Sequence, residues 1–193
     1  MAVIWGFNLS EMRWNAFSHR NMFDRRWHLR KERFILYQVA MLVALVAECV
    51  ATYSLSKYEN HQTHIENMSN RTAAVHNNDL IDAAIVTIVF CVMVATIFGA
   101  DFFFLVFWPR RRYPGWYNTI KKLLAVIITL GMAVAALVST IVVATRSAYI
   151  TGVDDATTRS YTDVYFRPPL TYRHFWQNIL WVVMLWLAFI ATV

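Results

Sequence analysis

Two carboxylates, Glu48 and Asp101, fall inside long apolar runs of this 193-residue chain. A charge at the centre of a bilayer costs roughly +2.5–3.5 kcal/mol on insertion scales, so such groups face protein or water, not lipid. Three kinds of chemistry are open to them. They can hydrogen-bond to a neighbouring helix through Gln38, Ser or Thr; they can relay a proton or ion; or they can recognise a lipid or partner. Counting ~1.5 Å per helical residue, Glu48 lies ~22 Å beyond Arg33, and Asp101 ~13 Å beyond Arg110 on a helix running the other way. The ~9 Å difference in depth is too large for a direct pair without tilt, but both could line one polar path. His61 and His64 form a His-x-x-His, with His76, Glu59, Glu66 and Met68 in the same segment. Two imidazoles one turn apart can ligate a metal, yet the spacing matches no recognised site, so no metal or cofactor is expected. Cys49 and Cys91 both lie in apolar runs, where a thiol packs as a small hydrophobe. No nucleotide, cofactor or nucleophile–base motif stands out, and the chain is expected to be non-enzymatic.

The elements that must position these residues are four apolar stretches, 34–56, 81–108, 123–145 and 175–193. Each reaches or approaches the ~20 residues that cross ~30 Å of hydrocarbon. They are continuously apolar rather than alternating, so helices are expected. The fold class is all-α: a four-helix transmembrane bundle (34–193) with an amphipathic N-terminal cytoplasmic segment (1–33). Composition agrees, with 58% hydrophobic and 16% charged residues against ~25% charged in a soluble domain. The 1–33 tail shows no small-residue cleavage site, so 34–56 is expected to act as an uncleaved signal anchor.

Basic residues set the orientation. Tail 1–33 and turn 109–122 hold twelve Lys and Arg, and loops 57–80 and 146–174 hold six. The positive-inside rule makes the N-terminus and turn 109–122 cytoplasmic and the two longer loops external. Four crossings return the C-terminus to the cytoplasm. The net charge of +6 then reflects topology and the anionic cytoplasmic leaflet, and no nucleic acid is expected as a partner. The expected headgroup-binding residues are Arg13, Arg20, Arg25, Arg26, Arg30 and Lys31 in the tail and Arg110, Arg111 and Arg112 in the turn. In the tail, apolar Leu9, Met12, Trp14, Phe17, Phe23 and Trp27 alternate with these arginines, and Asn8 with Glu11 resembles a capping pair that would start an interfacial helix.

Two sequons, Asn67-Met-Ser and Asn70-Arg-Thr, occupy the middle of the first outer loop, marking Asn67 and Asn70 as glycosylation candidates. The second outer loop is rich in Tyr and Pro, which suits either contact with a partner or packing onto the first loop. Small-residue rows (Ala40, Ala44 and Glu48, flanked by Ala47 and Ala51; Ala95 and Gly99; Gly131, Ala135 and Ser139) let helices approach closely. They serve packing within one chain or homo-oligomerisation.

Cytoplasmic ends, four helices, two outer loops and a short basic turn, with a first span that runs from Arg33 past an early Gln38 into an alanine-rich body, resemble the MARVEL-type and related four-pass families. Small four-pass proteins of fungal type look similar. The resemblance implies organisation of membrane subdomains or trafficking without catalysis. The outer loops lack cysteines, so the disulfide-built ectodomains of claudins and tetraspanins are excluded, and they are long for a MARVEL domain. The fourth span reaches Val193 without a basic flank, which suggests a bare C-terminus or a longer chain. The leading expectation is a plasma-membrane or secretory-pathway protein acting through lipid and membrane-protein contacts. The alternative is a transporter or channel subunit using Glu48 and Asp101.

Overall fold

A computed structural model describes residues 3–4, 7–22, 30–108 and 114–193. Arg25, Arg26, Arg110, Arg111 and Arg112, with Phe23 and Trp27, lie outside the described residues, as does the side chain of Arg30. The chain is mostly helical. Helix α1 is the single turn His19–Met22, and α2 is Arg30–Met68; α3 is Asn78–Phe107, α4 Gly115–Thr145, α5 Asp155–Val164 and α6 Trp176–Thr192. Short strands β1 (Val3–Ile4) and β2 (Phe7–Asn8) pair antiparallel in the tail, and β3 (Ala74–His76) pairs antiparallel with β4 (Tyr149–Thr151).

Four helices form a ring in which α2 packs on α3 and α6, and α4 packs on the same two. Each carries an apolar-to-small stripe at alternating spacings of three and four. On α2 it is Ala40, Ala44, Ala47, Ala51, Ser54, Tyr58, His61 and Ile65, every one fully buried. On α6 it is Asn178, Trp181, Leu185 and Ala188. A 3.5-residue repeat keeps one seam facing its partners, the geometry of antiparallel bundles. Many of the large aliphatic residues point the other way: Leu36, Leu42, Ile85, Val89, Leu130, Ile141, Val183 and Ile190 are all exposed, while Leu80, Val94, Ile128 and Leu185 join the core. An interior rich in alanine, with buried hydroxyls, inside a shell of Leu, Ile and Val is an arrangement suited to lipid, where close backbone packing replaces the hydrophobic effect. Helices α2, α3 and α4 are long and apolar enough to cross a membrane, and α6, with 17 residues, is shorter.

The structure corrects three expectations. First, α2 has 39 residues, about 58 Å at 1.5 Å per residue, so 57–68 is helix and not loop. Its polar last turns keep the buried seam through Tyr58, His61 and Ile65 and hold no Gly or Pro to stop it. Second, α4 begins at Gly115 directly after Pro114, which is pre-set for a helix start, so 115–122 is helix too. Third, the tail builds no long helix from Asn8 and Glu11. Asn8 pairs with Val3 in the β1–β2 hairpin, and Leu9–Glu11 and Trp14–Phe17 are separate 3-10 turns. The Asn21 amide donates to the Asn15 carbonyl (2.8 Å) and the Arg13 Nε to the Ser10 carbonyl (3.3 Å). Such side-chain bonds compete with a costly helix nucleus.

The two longer loops fold together over one end of the bundle. Register Ala74↔Thr151, Val75↔Ile150 and His76↔Tyr149 joins them, and Ser147 bridges to Thr171. Beneath the ribbon, Ile65, Ala73 and Val75 form a second small core with Ile150, Val153 and Tyr161. Gly152 has φ +91° and approaches so closely that an added Cβ would stand 2.0 Å from the Thr72 carbonyl oxygen; only glycine fits there.

Candidate functional site

Polar side chains gather at two levels of the bundle. At the capped end the organiser is Asn178, fully buried in the first turn of α6. Its Oδ1 accepts a short hydrogen bond from the Ser54 hydroxyl, and its Nδ2 donates to the Tyr172 carbonyl (2.9 Å) and the Tyr58 hydroxyl (3.4 Å). Tyr58 donates onward to the Pro169 carbonyl (3.0 Å), and the Asn77 amide donates to the Tyr58 carbonyl (3.3 Å). Tyr172 donates to Asp79 Oδ1 (2.7 Å). Burial first, and the Asp79 carboxylate second, push the Tyr172 phenol far above its ordinary pKa, so it stays a donor. One turn deeper, the Trp181 indole donates to Thr87 Oγ1 (3.2 Å), which also meets the Ser139 hydroxyl (3.3 Å). In a dry interior, paired groups of this kind tie helices together.

Above this network the last turns of α2 present His61 and His64, whose rings stack on Tyr165 at 5.3 and 4.7 Å between centroids. His61 is fully buried, and neither of its ring nitrogens has a hydrogen-bond partner. Burial, with His64 alongside, lowers its pKa to about 4. Among the described residues, no group of three His, Cys, Asp or Glu side chains stands together as a metal site. The two imidazoles cover a tyrosine ring.

At the opposite end, Asp101 is tied to Lys121 Nζ by a 2.7 Å ion pair, and its side chain is only 11% exposed. Arg33 donates to the Tyr37 hydroxyl (3.1 Å) and lies over that ring. Between α2, α3 and α4 these groups line a pocket of about 220 Å³ with Phe104, Leu105, Trp108, Tyr117 and Asn118. Beside it, Phe17 of the tail meets Phe107 edge to face (5.4 Å) and helps line an apolar groove with Met12, Trp14 and Phe103.

Glu48 and Asp101 are not brought together. The pairs Phe34–Phe102 and Tyr37–Phe98, and Met41 against Gly99, set the register of α2 on α3. Asp101 therefore stands level with about residue 36, some ~18 Å along the axis from Glu48. The depth difference drawn from flanking arginines is too small, because aromatic packing, not the turn, sets the register. The fully buried positions between them, Ala40, Ala44 and Val94, are apolar. Glu48 is half-buried and close enough to Cys91 to act on it electrostatically, and Gln38 is also half-buried. Of the small residues, Ala40, Ala44, Gly131, Ala135 and Ser139 all lie inside the bundle, and Ala95 is half-buried. The seam follows Ala47 and Ala51 rather than Glu48. Arg13, Arg20 and Lys31 are exposed.

Asn67 and Asn70 are exposed at the end of α2, where Asn70 (φ +49°) and Arg71 (φ +63°) turn the chain. The Ser69 hydroxyl of the first sequon is occupied within that turn, donating to the Glu66 carbonyl and accepting from the Ala73 amide, both at 3.1 Å. The buried network around Asn178 escaped the sequence reading, as did the partner of Asp101. The one available signal was the 3–4 spacing that continues past Ser56 to Ile65. No family model, curated protein or solved structure matches this chain.

Proposed function

We propose that this chain is a non-catalytic four-pass protein of the plasma membrane or secretory pathway that organises membrane subdomains through lipid and protein contacts. In this reading both termini are cytoplasmic and the β3–β4 cap is external. The observation that carries it is the packing of the interior: alanines fill the seam between Glu48 and Asp101, and hydroxyl, amide and indole groups bond to one another. That supports a structural bundle over a conduit, and it favours contact surfaces at the two ends. The paired Asp101 and the MARVEL-like order of parts agree with it. Helix α6 spans about 25 Å and packs beside α2 and α4, which supports a fourth crossing.

Single-cysteine accessibility in intact cells tests the topology, starting from a variant with Cys49 and Cys91 replaced by Ala. Phe166→Cys should label from outside, and Met12→Cys and Val193→Cys only after permeabilisation. External labelling at position 193 would mean three crossings. For the activity, Glu48→Gln should leave abundance and localisation unchanged, whereas deleting the first 22 residues should shift localisation. Ion flux through reconstituted vesicles that Asp101→Asn or Glu48→Gln abolishes would replace this reading with the transporter alternative.

A further inference from the structure

The pocket between α2, α3 and α4 has the composition of a headgroup site. Arg33 and Lys121 bring two positive charges, and Asp101 one negative, to a recess walled by Phe104, Leu105 and Trp108. Its formal charge is therefore +1. The bond from Arg33 to Tyr37 uses one of five guanidinium donors, and the pair with Asp101 uses one of three on the Lys121 ammonium. Asn118 and Tyr117 add neutral polar groups at the rim. The recess sits at the end of the apolar helices, level with Trp108 and Trp116, where aromatic side chains mark the headgroup layer.

A plain basic surface would have no use for a nearly buried carboxylate. Asp101 does two things here. It holds the Lys121 ammonium inside the pocket at 2.7 Å, and it lowers the local charge from +2 to +1. We propose that this pocket binds the phosphodiester of an anionic membrane phospholipid. Arg33 and Lys121 donate to the phosphate oxygens, the apolar wall takes the glycerol side, and Asp101 selects a singly charged phosphodiester over a doubly charged phosphomonoester. This deepens the lipid-contact reading above and rests on the chain being inserted in a bilayer.

The test is native mass spectrometry of the full chain, released from bilayers that contain phosphatidylcholine with either phosphatidylglycerol or phosphatidic acid. The wild type should retain phosphatidylglycerol. Arg33→Gln and Lys121→Gln should each lower that occupancy about tenfold, the effect of one charge-assisted bond. Lys122→Gln, exposed on the same helix and next to Lys121 in sequence, should not lower it. Asp101→Asn should move the preference towards phosphatidic acid. Equal loss in all three cation variants would reduce the effect to general surface charge and overturn the proposal, as would an unchanged preference in Asp101→Asn. Displacement by soluble glycerophosphoglycerol at matching concentration would assign the pocket to a free phosphodiester and overturn the lipid assignment. Thermal unfolding of each variant separates lost binding from lost folding. Cysteine labelling in the same bilayers reports insertion independently, so an inserted protein that retains no lipid sinks this proposal alone.

Discussion

Asn178 occupies a position where an amide has to satisfy three partners on two segments of chain: Ser54 on α2, Tyr58 further along it, and the Tyr172 carbonyl before α6. Removing it takes the Asn178 partner from the buried Ser54 hydroxyl and leaves the Tyr172 carbonyl with the Phe175 amide alone (3.2 Å). Asn178→Ala is expected to lower stability by about 1–2 kcal/mol, in the range of helix-joining hydrogen bonds in membranes, with Asn178→Asp less damaging than Asn178→Leu. Reversible unfolding in mixed micelles measures this, and a neutral Ala variant would show the network to be incidental. His61 makes the opposite kind of prediction. Its folded pKa of about 4 lies below the ~6.5 of an exposed imidazole, so below pH 6.5 the unfolded chain binds the proton more readily. The stability this group contributes is therefore complete above pH 6.5 and is lost as pH falls towards 4, up to about 3 kcal/mol. Thermal unfolding followed from pH 7 to 4 should show that loss, and His61→Phe should flatten it. An equally steep profile in His61→Phe would assign the acid sensitivity elsewhere. Neither role was legible in the sequence. A lone Asn among Trp, Ile and Leu reads as a tolerated polar residue, and a His in a polar segment reads as solvent-exposed, until the fold shows what covers them.

The helices were legible where lipid dictates composition. The ends of α3 and α6 lie within three residues of the apolar runs 81–108 and 175–193. The misreadings fall where an element passes from lipid into water, because hydropathy changes there while the backbone does not. Helix α2 keeps its 3–4 seam from Ala40 to Ile65 across that boundary, and a reading based on apolar runs ends at Ser56. The cap was hidden for another reason. β3 and β4 are three residues each and lie over seventy positions apart, so their pairing is a tertiary event without local periodicity. Next to the ribbon, Gly152 closely approaches the Thr72 carbonyl. Gly152→Ala adds a clash and strains a positive φ, at a cost of about 1–3 kcal/mol. The outcome to look for is faster proteolysis within 70–80 and 146–154 with the bundle intact, and unchanged cleavage would mean the ribbon tolerates the substitution. At the helix–helix contacts Gly131→Ala should also destabilise, by about 1–3 kcal/mol, since its Cβ would meet the Phe90 ring at 1.9 Å. Unfolding of that variant at the wild-type midpoint would mean Phe90 can swing aside.

At the scale of the whole molecule, a cap held by a short ribbon, a second small core and a buried polar network has no need of disulfides. If the cap is external, as proposed, Asn67 and Asn70 stand exposed on it, and the hydroxyls of both sequons, Ser69 and Thr72, are bonded within the turn that follows α2. Glycosidase sensitivity that disappears when Asn67→Gln and Asn70→Gln are combined is the expected outcome, and resistance of the wild type would argue against an external cap. One more consequence concerns the bilayer itself. Helices α2 and α3 run about 58 Å and 45 Å, both longer than the ~30 Å of hydrocarbon. Tilt absorbs part of such an excess, and the polar last turns of α2 carry the rest into water. In a membrane-spanning arrangement the ribbon and its small core stand off from the lipid on a rigid post, and a partner would meet the cap clear of the headgroups.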